Sequence, residues 1–195
     1  VNFNYFNKKY NLKVSHRSNP LSLDLWIPEM NSNKDLIIFM PGLGGDISNF
    51  RWLGKGLSKK GWPVIFIDHI GSNSDAIKAS IKGENPLPEG EDIFLYRLKD
   101  LDAVIKAHIN GSFDLKNKSY ILMGHSLGSL VSILYEGNLP RKSFSSRCEK
   151  AFNDFALTNL SKLIQCQLLE LPIPEFKKSL NSKGIIGFSS FGNLI

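Results

Sequence analysis

The chain has 195 residues, 42% hydrophobic and 22% charged, the balance of one soluble globular domain with a sizeable core. Its formal charge of +6 invites a nucleic-acid partner, but Lys8-Lys9, Lys59-Lys60 and Lys177-Lys178 lie far apart with no aromatic pattern between them, so the charge reads as solvated surface and no nucleic acid is expected. No apolar run approaches the ~20 residues of a membrane span, and Val1-Asn2-Phe3-Asn4-Tyr5 lacks the order of a signal peptide, so a cytoplasmic protein is expected.

In chain order, Tyr10-Asn11-Leu12-Lys13-Val14 and Leu21 to Ile27 alternate apolar and polar residues, as half-buried antiparallel strands do, and Pro28 closes the second. Asp35 to Met40 is a continuous apolar run, the mark of a central strand covered on both faces. It ends at the glycine-rich turn Pro41-Gly42-Leu43-Gly44-Gly45-Asp46. A phosphate-cradling loop needs Gly-x-x-x-x-Gly-Lys-Ser/Thr or Gly-x-Gly-x-x-Gly, and neither is present. The turn reads instead as an oxyanion loop, in which Gly42 and Gly44 let the backbone bend so that the Leu43 N–H faces a developing negative charge.

Ile47 to Leu57 reads as a helix with Phe50, Leu53 and Leu57 on one face and Gly61 as its stop. Pro63 to Ile67 is the next buried strand, closing at Asp68-His69-Ile70-Gly71-Ser72-Asn73. Residues 71 to 90, rich in Gly, Ser, Asn, Pro and charge, are expected to form an excursion over the sheet's upper edge. From Asp92 to Ile109 the positions Phe94, Leu98, Leu101 and Ile105 recur at helical spacing. Buried strands alternating with helices specify a mostly parallel α/β sheet with helices on both faces, preceded by antiparallel strands. Such a sheet gathers its sites at the strands' C-terminal ends.

Gly124-His125-Ser126-Leu127-Gly128 stands between the apolar run Tyr120 to Met123 and a helical stretch from Ser129 to Tyr135. Strand, Gly-x-Ser-x-Gly, helix is the pattern of a nucleophile elbow, with Ser126 as the nucleophile in a strained turn. Side chains at Gly124 and Gly128 would collide within such a turn. The N–H of Leu127, opening the helix, is the second expected oxyanion donor.

Residues 138 to 183 contain no convincing strand. Arg147 to Phe155 and Leu157 to Leu169 read as two short helices, ended by Pro172 and Pro174. This helical insertion reads either as a lid forming an acyl pocket or as ordinary packing on the sheet. Cys148 and Cys166 fall within it and read as buried free thiols. Gly184 to Phe188 reads as one more core strand. The whole is expected to be a single domain over 1–195, with 138–183 as the insertion.

Together these segments resemble an α/β-hydrolase, and more narrowly the bacterial predicted dienelactone hydrolases related to platelet-activating-factor acetylhydrolases. The resemblance is carried by Phe39-Met40-Pro41-Gly42-Leu43-Gly44-Gly45, Phe50-Arg51-Trp52-Leu53, Asp68-His69-Ile70-Gly71-Ser72-Asn73, Arg97-Leu98-Lys99-Asp100 and Gly124-His125-Ser126-Leu127-Gly128. Thr158 to Gln167 resembles cyanobacterial members of the group. One departure is Met40-Pro41, where many relatives have Ser-His. The resemblance implies a serine hydrolase acting on a small carboxylic ester or lactone through an acyl-enzyme on Ser126, without metal or organic cofactor.

In this superfamily the catalytic Asp or Glu and then the His follow the serine in chain order. The four histidines are His16, His69, His108 and His125, and none follows Ser126. His125 belongs to the elbow and is expected to point away from the nucleophile. His69 is expected to play a structural part beside its loop, His16 to lie on an early strand, and His108 to be surface or satisfied core. Asp154, in the helical insertion, is not assigned as the triad acid. The triad acid and His are therefore not identifiable in this chain. Two explanations are open, a naturally non-catalytic binding module or a fragment lacking its last strands. The opening Val and the stop after a sixth parallel-type strand favour the fragment, with about two further strands implied by the resemblance.

Overall fold

A computed structural model describes residues 2–30, 33–137 and 180–188. Strand β1 (Tyr5–Leu12) pairs antiparallel along the full length of β2 (Leu21–Pro28), with Tyr5 opposite Pro28 and Leu12 opposite Leu21. β2 runs antiparallel to β4 (Val64–Asp68), and from there the sheet is parallel. β4 lies beside β3 (Leu36–Met40), β3 beside β5 (Tyr120–His125), and β5 beside β6 (Ser182–Phe188). The order β1-β2-β4-β3-β5-β6 places the two central strands β3 and β4 between crossovers.

The alternation of side chains along β3 explains its unbroken apolar sequence. Ile37 and Phe39 join Trp26, Val64, Phe66 and Met123 on one face, and Phe50, Leu53 and Leu57 cover them. Leu36, Ile38 and Met40 face the other way, into a larger core with Leu23, Leu25, Ile65 and Leu122. That core is closed by α3 (Gly90–Ile109), through Phe94, Leu98 and Leu101, and by α4 (Leu127–Tyr135), through Leu130, Val131 and Leu134. Burial on both faces leaves no position where a polar side chain could reach water, so the period-two signal vanishes.

Several expectations change. β1 begins at Tyr5, five residues before the alternation at Tyr10 to Val14 suggested, and ends at Leu12, two residues before it. As an edge strand it exposes Asn7, Lys8 and Lys9, which masks its pattern. His16 lies in the turn between β1 and β2, not on a strand. The helix expected over 47–57 is a 3₁₀ turn, Ile47–Phe50, followed by α1 (Arg51–Lys59). The excursion over 71–90 contains a helix, α2 (Ser74–Ile81), capped by the Asn73 side chain, which accepts from the Ala76 N–H. None of its residues is fully buried, and it is embedded in a stretch whose Gly, Ser, Asn and Pro content reads as loop.

β6 starts at Ser182, two residues inside the stretch read as strandless. It is the outermost strand of the described sheet rather than a core strand, and Ile186 and Phe188 are 41% and 43% exposed. The two short helices of the expected insertion, both cysteines and Asp154 lie outside the described residues. Among the described residues no helix is long and apolar enough to cross a membrane.

Candidate active site

β5 and α4 are joined by a single residue, Ser126, whose backbone sits at φ 51°, ψ −118°. A non-glycine residue with positive φ is strained and persists only where its surroundings hold it. Here they do so from both sides. The Ser126 N–H donates to the Phe188 carbonyl at 2.9 Å, and the Ser126 carbonyl accepts from Ser129 N–H at 3.0 Å. The Ser129 hydroxyl donates to the Gly124 carbonyl at 2.6 Å, tying the turn across its base.

The flanking glycines are required by contact. A Cβ on Gly124 would stand 2.3 Å from the Gly128 carbonyl carbon, and one on Gly128 would stand 2.0 Å from the Met40 oxygen. The turn therefore packs on itself and on the end of β3. The Ser126 side chain does not cap α4, and its hydroxyl has no hydrogen-bond partner among the described residues. Leu127, as the first residue of α4, has no acceptor for its N–H inside the helix.

The loop after β3 lies directly on this turn. A Cβ on Gly42 would be 3.1 Å from Ser126 Cβ and 3.3 Å from His125 Nδ1. The loop is closed by the Gly45 N–H donating to the Gly42 carbonyl at 3.1 Å and by the Gly44 N–H donating to the Ser72 carbonyl at 2.9 Å. Gly44 has φ +68°, and Ile77 of α2 sits 3.0 Å from where its Cβ would be. Between these anchored amides the Leu43 N–H has no acceptor among the described residues. The sequence-predicted residues Gly42, Leu43, Gly44, Gly124, Ser126, Leu127 and Gly128 are thus brought to one place, the C-terminal ends of β3 and β5.

The histidines do not complete this site. His69 is buried, and its Nδ1 is 2.9 Å from Asp100 Oδ2, while its Nε2 has no partner among the described residues. Burial, with the Arg97 charge nearby, lowers its pKa to about 4, so at neutral pH its Nδ1–H donates to Asp100. Asp100 also accepts from Arg17 through Nε and Nη2 at 2.8 Å each, and lies 2.7 Å from His16 Nε2. Burial alone would raise the Asp100 pKa, but the His69 and Arg17 hydrogen bonds hold it well below the usual carboxylate range. His125 packs its ring 5.8 Å from that of Phe50. His108 is buried rather than at the surface, and burial lowers its pKa against the opposing effect of the Ser119 and Lys118 backbone beside its ring.

One residue of the site entered the sequence reading only within Arg97-Leu98-Lys99-Asp100, a segment that carries the resemblance, and was given no role at the site. Arg97 is 1% exposed and spends its guanidinium on the loops. Nη1 donates to the Pro41 carbonyl at 2.6 Å, Nη2 to the carbonyls of Gly42 at 3.0 Å and Ser72 at 3.2 Å, and Nε to the Ser72 hydroxyl at 2.9 Å. Its signal was available: Phe94, Arg97, Leu98 and Leu101 share the buried stripe of α3, and an arginine on such a stripe demands buried acceptors. Among the described residues no cluster of three or more His, Cys, Asp or Glu could hold a metal ion.

Comparison with known proteins agrees with this architecture. The family model described as the alpha/beta hydrolase fold matches residues 35–171. Among solved structures, the chain is similar to the ferulic acid esterase from Streptomyces cinnamoneus, at 15% identity and a TM-score of 0.54 over 69% of this chain and 55% of that one. It is also similar to a highly thermostable carboxyl esterase from Bacillus coagulans, at 16% identity and a TM-score of 0.51 over 75% of this chain and 49% of that one. The chain thus spans about half the length of these structures. No curated protein matches its sequence.

Proposed function

Because the chain belongs to the α/β-hydrolase family, we propose that it carries the nucleophile of a serine esterase. The carrying observation is the strained Ser126 at φ 51° with the glycine loop of Gly42 packed against it. In this reading Gly124 to Gly128 is the nucleophile elbow, and the Leu43 and Leu127 N–H groups form the oxyanion hole. The Ser126 oxygen attacks the ester carbonyl carbon, its proton passing to a general base. The carbonyl oxygen becomes an oxyanion, accepted by the two N–H groups, each worth ~3 kcal/mol of transition-state stabilisation. Collapse expels the alcohol, which takes a proton, and water then releases the acid from the acyl-enzyme.

The substrate class is a small carboxylic ester or lactone, with the dienelactone-hydrolase-like subtype as the narrower proposal and the cytoplasm as the compartment. The loop bears no phosphate-binding pattern, and the two solved esterases above carry the same fold. The base is not His69, whose imidazole is buried against Asp100. A second reading is a ligand-binding module without catalysis, in which the same pocket holds a ligand that is not turned over.

The deciding experiment uses the protein from the complete reading frame, a fluorophosphonate probe and p-nitrophenyl acetate. Ser126 is expected to be the labelled residue, with Ser126→Ala abolishing both labelling and turnover. Absence of both in the folded parent supports the binding module, and labelling that survives Ser126→Ala overturns the nucleophile.

A further inference from the structure

We propose that Arg97 is the positioning residue of the oxyanion loop: by gripping the Gly42 carbonyl it aims the Leu43 N–H at the serine's reaction centre. The inference deepens the reading of Ser126 as nucleophile and rests on it.

The argument starts with one peptide plane. Gly42 C=O and Leu43 N–H belong to the same peptide unit, and the described chain has no cis peptide bond. In a planar trans peptide the N–H points opposite to the C=O. Whatever fixes the direction of the Gly42 oxygen therefore fixes that of the Leu43 hydrogen. Two donors hold that oxygen, Arg97 Nη2 at 3.0 Å and the Gly45 N–H at 3.1 Å. The second closes the loop on itself, and of the two only the first links the Gly42 oxygen to a residue outside the loop. Arg97 also holds the preceding carbonyl, Pro41, at 2.6 Å, so two successive peptide planes are oriented by one rigid fork.

The fork itself is aimed by Ser72. The Ser72 hydroxyl accepts from Nε, and the Ser72 carbonyl accepts from both Arg97 Nη2 and the Gly44 N–H. Gly42 and Gly44, on either side of Leu43, are thereby referred to the linked pair Arg97 and Ser72, Gly42 through the guanidinium and Gly44 through the Ser72 carbonyl. Stability alone is a poor reason for this arrangement. A buried guanidinium is expensive to desolvate, and an apolar side chain of similar volume often serves a core as well. Burial lowers the Arg97 pKa to about 9, while the Asp100 charge opposes that shift, so the group stays a cation at neutral pH. What an apolar replacement could not supply is four directed donors on loop acceptors.

The test compares parent, Arg97→Lys and Ser72→Ala in the protein from the complete reading frame. The fluorophosphonate counts competent serines, and kcat per labelled serine and KM are measured with p-nitrophenyl acetate. Lysine keeps the charge and loses the fork. Misplacing a catalytic group by about 1 Å lowers rate on the order of a hundredfold, so Arg97→Lys is expected to lower kcat per labelled serine about tenfold to a hundredfold, with KM nearly unchanged. A purely structural role would reduce the number of labelled serines and leave kcat per serine at the parental value, which overturns the proposal. Should Arg97→Lys not fold, Ser72→Ala decides in the same way, because it keeps the guanidinium and removes only the hydroxyl that aligns it. An unlabelled parent would instead bring down the esterase reading itself.

Discussion

Gly42 touches Ser126: a methyl group at Gly42 would stand 3.1 Å from the serine's own Cβ. Residues 84 positions apart in the chain are neighbours because β3 and β5 are adjacent parallel strands in register, Met40 beside Gly124. The loop leaving one strand and the turn leaving the other must then meet at the same end of the sheet. This contact carries the functional reading, and it also makes the glycines testable as packing elements.

Gly128→Ala is expected to destabilise the fold by about 3 kcal/mol or more, because its Cβ would lie 2.0 Å from the Met40 backbone oxygen, which no rotamer can move. Gly56→Ala is the control. It lies inside α1 with nothing within 4 Å of its Cβ, and alanine there is expected to stabilise by about 0.5–1 kcal/mol. Urea unfolding of the two variants checks both signs. Equal stabilities would mean that the turn does not pack as described.

Gly44 combines a left-handed backbone, φ +68°, with Ile77 Cγ1 3.0 Å from its missing Cβ. Gly44→Ala is expected to lose about 1–2 kcal/mol from the backbone alone. The added contact with Ile77 increases the loss. In the Ile77→Ala background the same substitution should therefore show a smaller loss, read as a smaller drop in thermal midpoint. A bulkier Gly44→Val change will lower stability as well as rate, so it cannot isolate a catalytic effect.

His69 gives a pH dependence with a definite sign. Its pKa falls from 6.5 to about 4 on folding, chiefly by burial. A depressed folded value means that its contribution is fully present above pH 6.5 and is lost as pH falls toward 4. From pH 8 to pH 5 this amounts to about 2 kcal/mol of lost stability. His108, also lowered, acts with the same sign. Asp68 is raised by burial and acts oppositely as pH climbs above 3.8. Asp100, held low, matters only below the ordinary carboxylate range. His69→Asn, which can still donate to Asp100, should flatten the decline in urea midpoint between pH 8 and pH 5. A slope equal to the parent's would assign the dependence elsewhere.

What the sequence determined by itself was whatever is encoded locally. Ile37 to Phe39 and Ile65 to Ile67 are apolar without a break, which suits strands covered on both faces. Phe94, Leu98, Leu101 and Ile105 keep one helical face. Gly124 and Gly128 bracket Ser126 at the spacing that a sharp strand-to-helix turn demands. These signals placed the central strands, α3 and the candidate site residues in the right elements. α2 was missed because its eight residues, none fully buried, lie within a stretch of Gly, Ser, Asn, Pro and charge that reads as loop.

Only the tertiary structure decided the rest, because it depends on which distant groups meet. Arg97 stood in a segment that carried the resemblance, but its partners, the carbonyls of Pro41, Gly42 and Ser72, are set only by the fold. His16, Arg17, His69 and Asp100 come from one loop, a strand end and a helix, and no spacing rule links them. A buried polar group must find its partner wherever the chain brings one within about 3 Å. That distance is set by the packing of whole elements, which no local stretch of sequence states.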